Sequence, residues 1–221
     1  KMSGFSTARQ KMVDGQVRTS DVTDSRILDA MLSLPREAFV PAAQQPLAYL
    51  DLDLDVGGGS GKSYLLKAAL TAKLLQAAEL KSSDNVLVVG AASGYLAAIA
   101  ARIAAKVTAT EGDSAMASRA AAALAGLGFA NVTVRNAACA DGEPAFAPYD
   151  VIVLNGATEI APERLFGQLA DGGRLVGVFA TVKPSRAMVV THTHGDFGHR
   201  TLFDAAAPVL PGMERRAEFV F

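Results

Sequence analysis

The sequence predicts an α/β fold: a mostly parallel sheet with helices on both faces, an antiparallel edge, and a helical extension ahead of it. Three observations predict it. Apolar runs alternate with helical segments from Asn85 onward, and strands that are apolar throughout belong to sheets covered on both faces. The run Asn85–Asp113, NVLVVGAASGYLAAIAARIAAKVTATEGD, reads as strand, small-residue turn, helix and second strand. Beyond residue 180 the helical segments stop, and strand-like stretches flank a turn at Gly195–Asp196, which suits an antiparallel edge.

The elements follow in order. Residues 5–34 read as helical; Asp24 is a candidate N-cap, and Ile27, Met31 and Leu34 share one face at helical spacing. Pro35 ends that stretch, and Pro35–Pro41 forms a rigid connector. Residues 42–63 are irregular and rich in Gly and Asp, and helix resumes over Leu65–Leu80. Strands are expected at 85–89, 106–110, 131–135, 149–154 and 173–180, with helices at 94–105, 113–127 and 162–170. Ala187–His194 and Arg200–Phe203 read as edge strands, and Glu218–Phe221 as a further one. There is no internal repeat and no low-complexity linker, so one domain is expected over 1–221, with 1–80 as extension and loop and 81–221 as the α/β core.

Composition excludes several classes. The 221 residues are 50% apolar and 19% charged, enough for a well-buried α/β domain. The formal net charge is −1 and the pI about 6.3, which offers no electrostatic footprint for nucleic acid or an anionic membrane. No apolar stretch is long enough to span a bilayer, and residues 1–16 lack the apolar core of a secretion signal. Cys139 is the single cysteine, which excludes an intramolecular disulfide and fits a reducing cytoplasm.

The turn Gly90–Gly94 narrows the cofactor. A dinucleotide turn wants G-x-G-x-x-G, but the second and third positions after Gly90 are Ala92 and Tyr95. The stretch Val56–Ser63 imitates a phosphate loop, yet Val56 stands at its first glycine and acidic residues precede it instead of an apolar strand. A third pattern, an acid followed by glycines at every second residue, reads here Val88, Gly90, Ala92 and Gly94. The second strand ends on Glu111, where a carboxylate can accept both hydroxyls of a ribose, or only cap the helix that follows. Two other patterns fail. His192 and His194 share a strand face and gain a third metal ligand, His199 or Asp196, only if the turn folds back, and Asp51, Asp53 and Asp55 begin a calcium loop that lacks its Gly and final Glu.

Blocks along nearly the whole chain resemble the protein-L-isoaspartate O-methyltransferase family. They are Met12–Pro41, Tyr49 with Asp51, Val86–Ala98, Ala140-Asp141-Gly142, Tyr149–Ala157 and Gln168–Val176. The resemblance implies a Rossmann-like, doubly wound sheet of about seven strands that binds S-adenosylmethionine and methylates the α-carboxylate of L-isoaspartyl residues in damaged proteins. It implies isoaspartyl-containing peptides or proteins as partners, without nucleic acid or membrane. It assigns Gly90, Ala92, Ser93, Gly94, Glu111, Asp141 and Gly142 to the cofactor, with Asp141 on the adenine side, and Ser63 to orientation of the substrate carboxylate.

The chain departs from that pattern. Val88 replaces an acid and Ala92 a glycine. In the substrate-side loop Gly61 stands for a threonine and Leu65 for a proline, while Lys62 adds a carboxylate partner. These departures define a second reading, a relative with altered substrate or no catalysis that serves as a nucleoside-binding or interaction module.

Overall fold

The computed structural model describes residues 4–58, 60 and 62–216. Its centre is a seven-stranded sheet in the order β5-β4-β3-β6-β7-β8-β9. The strands are β3 (Asn85–Val89), β4 (Lys106–Glu111), β5 (Val132–Asn136), β6 (Tyr149–Thr158), β7 (Leu169–Phe179), β8 (Arg186–Thr193) and β9 (Asp196–Asp204). Strands β3 to β7 run parallel, and β8 and β9 close the sheet as an antiparallel meander. A two-stranded ribbon of β1 (Leu54–Asp55) and β2 (Tyr64–Leu65) lies outside that sheet.

Chain direction across the sheet reverses between β3 and β6. Successive strands step one way from β3 to β5 and the other way from β6 to β9. Such a switch point opens a crevice at the carboxyl ends of the strands, where open α/β sheets bind ligands. Gly90 and Asn155 both lie at this point.

Alternation along β3 builds the core. Val86 and Val88 fall in one buried cluster and Leu87 and Val89 in another, as the two-residue strand period requires. The first cluster also takes in Met12, Val17, Ile27 and Met31 of the extension, so the extension shares a core with the sheet. The helices are α1 (Gly4–Met12), α2 (Ser25–Ser33), α3 (Ala68–Ala78), α4 (Tyr95–Ala101), α5 (Ser114–Gly126) and the four-residue α6 (Glu163–Phe166). No helix among the described residues is long and apolar enough to cross a membrane.

The expected elements appear with local differences. The helical stretch 5–34 is interrupted after Ser20, where Asp21 turns left-handed at φ 64. Asp24 caps α2 as its sequence position suggests, accepting the Arg26 N–H at 3.0 Å. Helix α3 starts later than residue 65, because Tyr64 and Leu65 pair with β1 and the Asp53 carboxylate holds the Lys67 N–H at 2.8 Å. The helix expected over 162–170 stops at Phe166, since Leu169 pairs with Tyr149 and β7 begins there. Glu218–Phe221 lies outside the described residues.

Candidate functional site

The site grows from the turn after β3. Gly90, Ala92 and Gly94 all have positive φ, at 69, 49 and 97. Alternate left-handed residues explain why small residues recur at every second position. Gly90 has a further reason: a Cβ there would stand 2.4 Å from Leu210 Cδ2. Ala92 bears its Cβ in the left-handed region, at a cost of about 1 kcal/mol. Ala92→Gly is therefore expected to raise unfolding free energy by up to about 1 kcal/mol, less the small loss of a buried methyl. Urea titration reads this directly; a destabilised variant would contradict the strain.

Glu111 ends β4 beside this turn and is buried. Its two oxygens are held separately: Oε2 accepts the Ala92 N–H at 2.8 Å and Oε1 the Asp113 N–H at 3.0 Å. Burial lifts its carboxyl above the ordinary range, and the surrounding N–H groups pull it only part of the way back. A carboxylate offers about four acceptor positions, so two remain for a vicinal diol. Capping of α5 falls to Asp113 instead, whose carboxylate accepts the Met116 N–H at 2.8 Å. That geometry leaves Glu111 free of the helix-capping role.

Glu111, Gly112 and Asp113 line one side of a cleft of about 380 Å³. Ala138 and Cys139 line a second side, and Lys62, Pro211 and Gly212 complete it. Burial, reinforced by Glu111 and Glu214, pushes the Cys139 thiol up to about 12, so it stays neutral.

Of the residues expected at the cofactor, only Glu111 lines this cleft; Gly90, Ala92, Ser93, Gly94, Asp141 and Gly142 do not. Asp141 follows Cys139 closely, but its carboxylate pairs with Arg164 on the surface and does not line the same cavity. Gly142 is left-handed at φ 63, and a Cβ there would meet the Gln168 amide at 2.7 Å. The Ser93 hydroxyl makes no hydrogen bond among the described residues. It borders a separate pocket of about 120 Å³ with Phe39, Val56, Met116 and Arg119. Ser63 is buried, and its carbonyl accepts the Val56 N–H at 2.9 Å. Val88 is fully buried within β3 and presents no charge to the cleft.

Four features escape sequence reasoning. Asn155 crosses the switch point, donating to the Gly90 carbonyl at 2.9 Å and the Tyr64 carbonyl at 3.4 Å. It thereby ties the residue after Ser63 to the first glycine of the turn. Arg36 is 1% exposed, donates to the carbonyls of Ala48 at 2.6 Å and Leu66 at 2.7 Å, and lies 4.7 Å over the Tyr95 ring. Gln168 fixes the Asp141–Glu143 bend, giving to the Asp141 carbonyl at 2.8 Å and accepting the Glu143 N–H at 3.1 Å. The segment 207–213 forms a strap over the ends of β3 and β6. Ala157 of β6 holds it by two backbone bonds of 2.8 Å, donating to the Pro208 carbonyl and accepting the Leu210 N–H, and Leu210 and Met213 are buried. An isolated polar residue or a tail with two prolines carries no periodicity that could reveal these roles; only the apolar run of YDVIVLNGA places Asn155 near a strand end.

The sheet order, the left-handed turn and the diol-ready carboxylate define a nucleoside-cofactor protein of the S-adenosylmethionine-dependent methyltransferase class. The free acceptor positions of the Glu111 carboxylate fit the ribose hydroxyls of that cofactor. The family model for protein-L-isoaspartate(D-aspartate) O-methyltransferase matches residues 7–197. The chain belongs to this family. It is 41% identical over 195 residues to protein-L-isoaspartate O-methyltransferase 1 of Rhodopseudomonas palustris (strain HaA2), covering 88% of this chain and 78% of that protein. It is 42% identical over 172 residues to the enzyme of Roseiflexus castenholzii (strain DSM 13941 / HLO8), covering 78% and 77%. A solved protein-L-isoaspartate O-methyltransferase superposes with a TM-score of 0.81 at 24% identity, over 92% of this chain and 66% of that one. A Plasmodium falciparum structure described under the same name, in complex with S-adenosyl-L-homocysteine, gives 0.77 at 17% identity over 93% and 97%. These two likenesses establish the fold.

Proposed function

We propose that this chain transfers the methyl group of S-adenosylmethionine to the α-carboxylate of L-isoaspartyl residues in damaged proteins. The observation that carries the reading is Glu111: a buried carboxylate, held by one N–H on each oxygen, lining a cleft at the carboxyl end of β4 in a chain from this family. The cofactor, when bound, supplies an electrophilic methyl group. The carboxylate that receives it is ionised at neutral pH, with a reference pKa of about 4, so the chain need provide no general base. Its residues have positioning and dryness to supply.

Glu111 holds the ribose, and the left-handed turn Gly90–Gly94 brings the backbone close to the cofactor. Gly142, with the Asp141 backbone fixed by Gln168, forms the adenine side. Ser63 orients the acceptor carboxylate through its hydroxyl, at a distance from the turn governed by Asn155. Leu210 and Met213 keep water from the space above Gly90. The resulting ester favours cyclisation to a succinimide, which reopens in part to normal aspartate. With valine at position 88, the cationic end of the cofactor meets no carboxylate there, so its affinity is expected to be lower than that of relatives with an acid.

The test is methyl transfer to an isoaspartyl peptide and to its aspartyl twin. Labelling confined to the isoaspartyl peptide is the expected result; equal or absent labelling overturns the reading. Ser63→Ala should lower kcat at least about tenfold, for loss of one hydrogen bond to a charged group, with little change in cofactor affinity. An equal loss in both would remove Ser63 from the acceptor side.

A further inference from the structure

The cleft is acidic. Glu111 and Asp113 line it. Glu214 stands at its rim, because its carboxylate accepts the N–H of the cleft residue Gly212 at 2.8 Å. A further carboxylate that enters as a substrate meets these like charges, and like charges without a counter-ion are costly to bring together. Lys62 is the one cation lining the cleft among the described residues. It is exposed, and its ammonium forms no ion pair among the described residues. It directly precedes Ser63 in the loop that leads into β2.

We propose that Lys62 determines substrate specificity in the proposed reaction: its ammonium pairs with the isoaspartyl α-carboxylate beside Ser63 and offsets the acids of the cleft. The inference rests on the proposed function and adds to it the group that recognises substrate charge. Lysine suits this role as a compact cation on a flexible stem, able to follow a carboxylate carried by peptides of differing shape. Because the pair forms at an exposed rim, its strength depends on ionic strength.

The experiment titrates an isoaspartyl peptide into the full chain saturated with S-adenosylhomocysteine, by calorimetry at low and high salt. A second peptide carries the same linkage with its α-carboxylate amidated. The wild type should bind the acid more tightly than the amide, with an advantage that shrinks in high salt. Lys62→Met should weaken binding of the acid about three- to tenfold, leave the amide unaffected, and lose the salt dependence. Lys62→Arg should restore most of the advantage. Equal binding of the acid by Lys62→Met and wild type, with the same salt response, overturns the role of Lys62 and leaves the proposed activity standing. A wild type that binds neither peptide overturns both.

Discussion

Replacing Glu111 with alanine should weaken S-adenosylhomocysteine binding by about 100-fold or more. Each hydrogen bond to a charged acceptor is worth about 1.5–3 kcal/mol, and a ribose diol makes two. The substitution also strands the Ala92 and Asp113 N–H groups, which now bond one to each oxygen. The turn should therefore loosen together with the loss of the ribose contact. Glutamine is a sharper probe: it keeps the shape but turns an NH₂ toward one of these two donors. Calorimetric titration reads both variants, with circular dichroism as the control for folding; unchanged affinity in either would take Glu111 out of the site.

The raised carboxyl of Glu111 fixes the sign of the pH dependence. A carboxyl whose folded pKa lies above its unfolded value costs stability at neutral pH, and the cost disappears as pH falls below the unfolded value. In the proposed site ligand binding has the opposite sense, because a ribose diol on Glu111 needs the ionised form. Affinity for S-adenosylhomocysteine should decline on acidification before an ordinary carboxylate begins to protonate.

Replacing Arg36 with alanine is the second large effect, and it falls on stability. The variant leaves the buried carbonyls of Ala48 and Leu66 without their donors and opens a void beside the Tyr95 ring. Together these should cost about 3–5 kcal/mol. Urea unfolding measures the loss, and Arg36→Lys should recover part of it by keeping the stem and one donor. Burial pulls the Arg36 pKa below its usual value, yet a guanidinium remains charged in a protein. Charge therefore stays buried with carbonyls and a ring as its partners. Leu66 lies three positions after Ser63, so a folded Arg36→Lys protein should also turn over more slowly. Stability within about 1 kcal/mol of wild type in Arg36→Ala would show that water takes over both carbonyls.

The sheet was legible because its strands are buried on both faces: β3, β4 and the first half of β6 stand out as apolar runs between small-residue turns. Glu111 was legible as an acid at the end of one such run. Two of the misreadings share one cause, pairing between distant segments that overrides local pattern. Leu165, Phe166 and Leu169 carry helical spacing, but Leu169 finds Tyr149 across the sheet. Leu65 looks like the start of a helix until Leu54 pairs with it. At the site, the small residues of the turn announced a tight backbone, whereas Arg36, Asn155 and Gln168 act through carbonyls far away in sequence. No residue-type pattern encodes such partners.

The strap also orders events during synthesis. The cleft draws its walls from residue 62 to residue 212, and Leu210 covers a glycine laid down long before it. A nascent chain that has completed β3 and β4 owns the turn and Glu111, but not the cover. The cleft therefore stays incomplete while the ribosome works through β8 and β9. Its last wall is set when the strap docks on Ala157, after every strand of the sheet has been made.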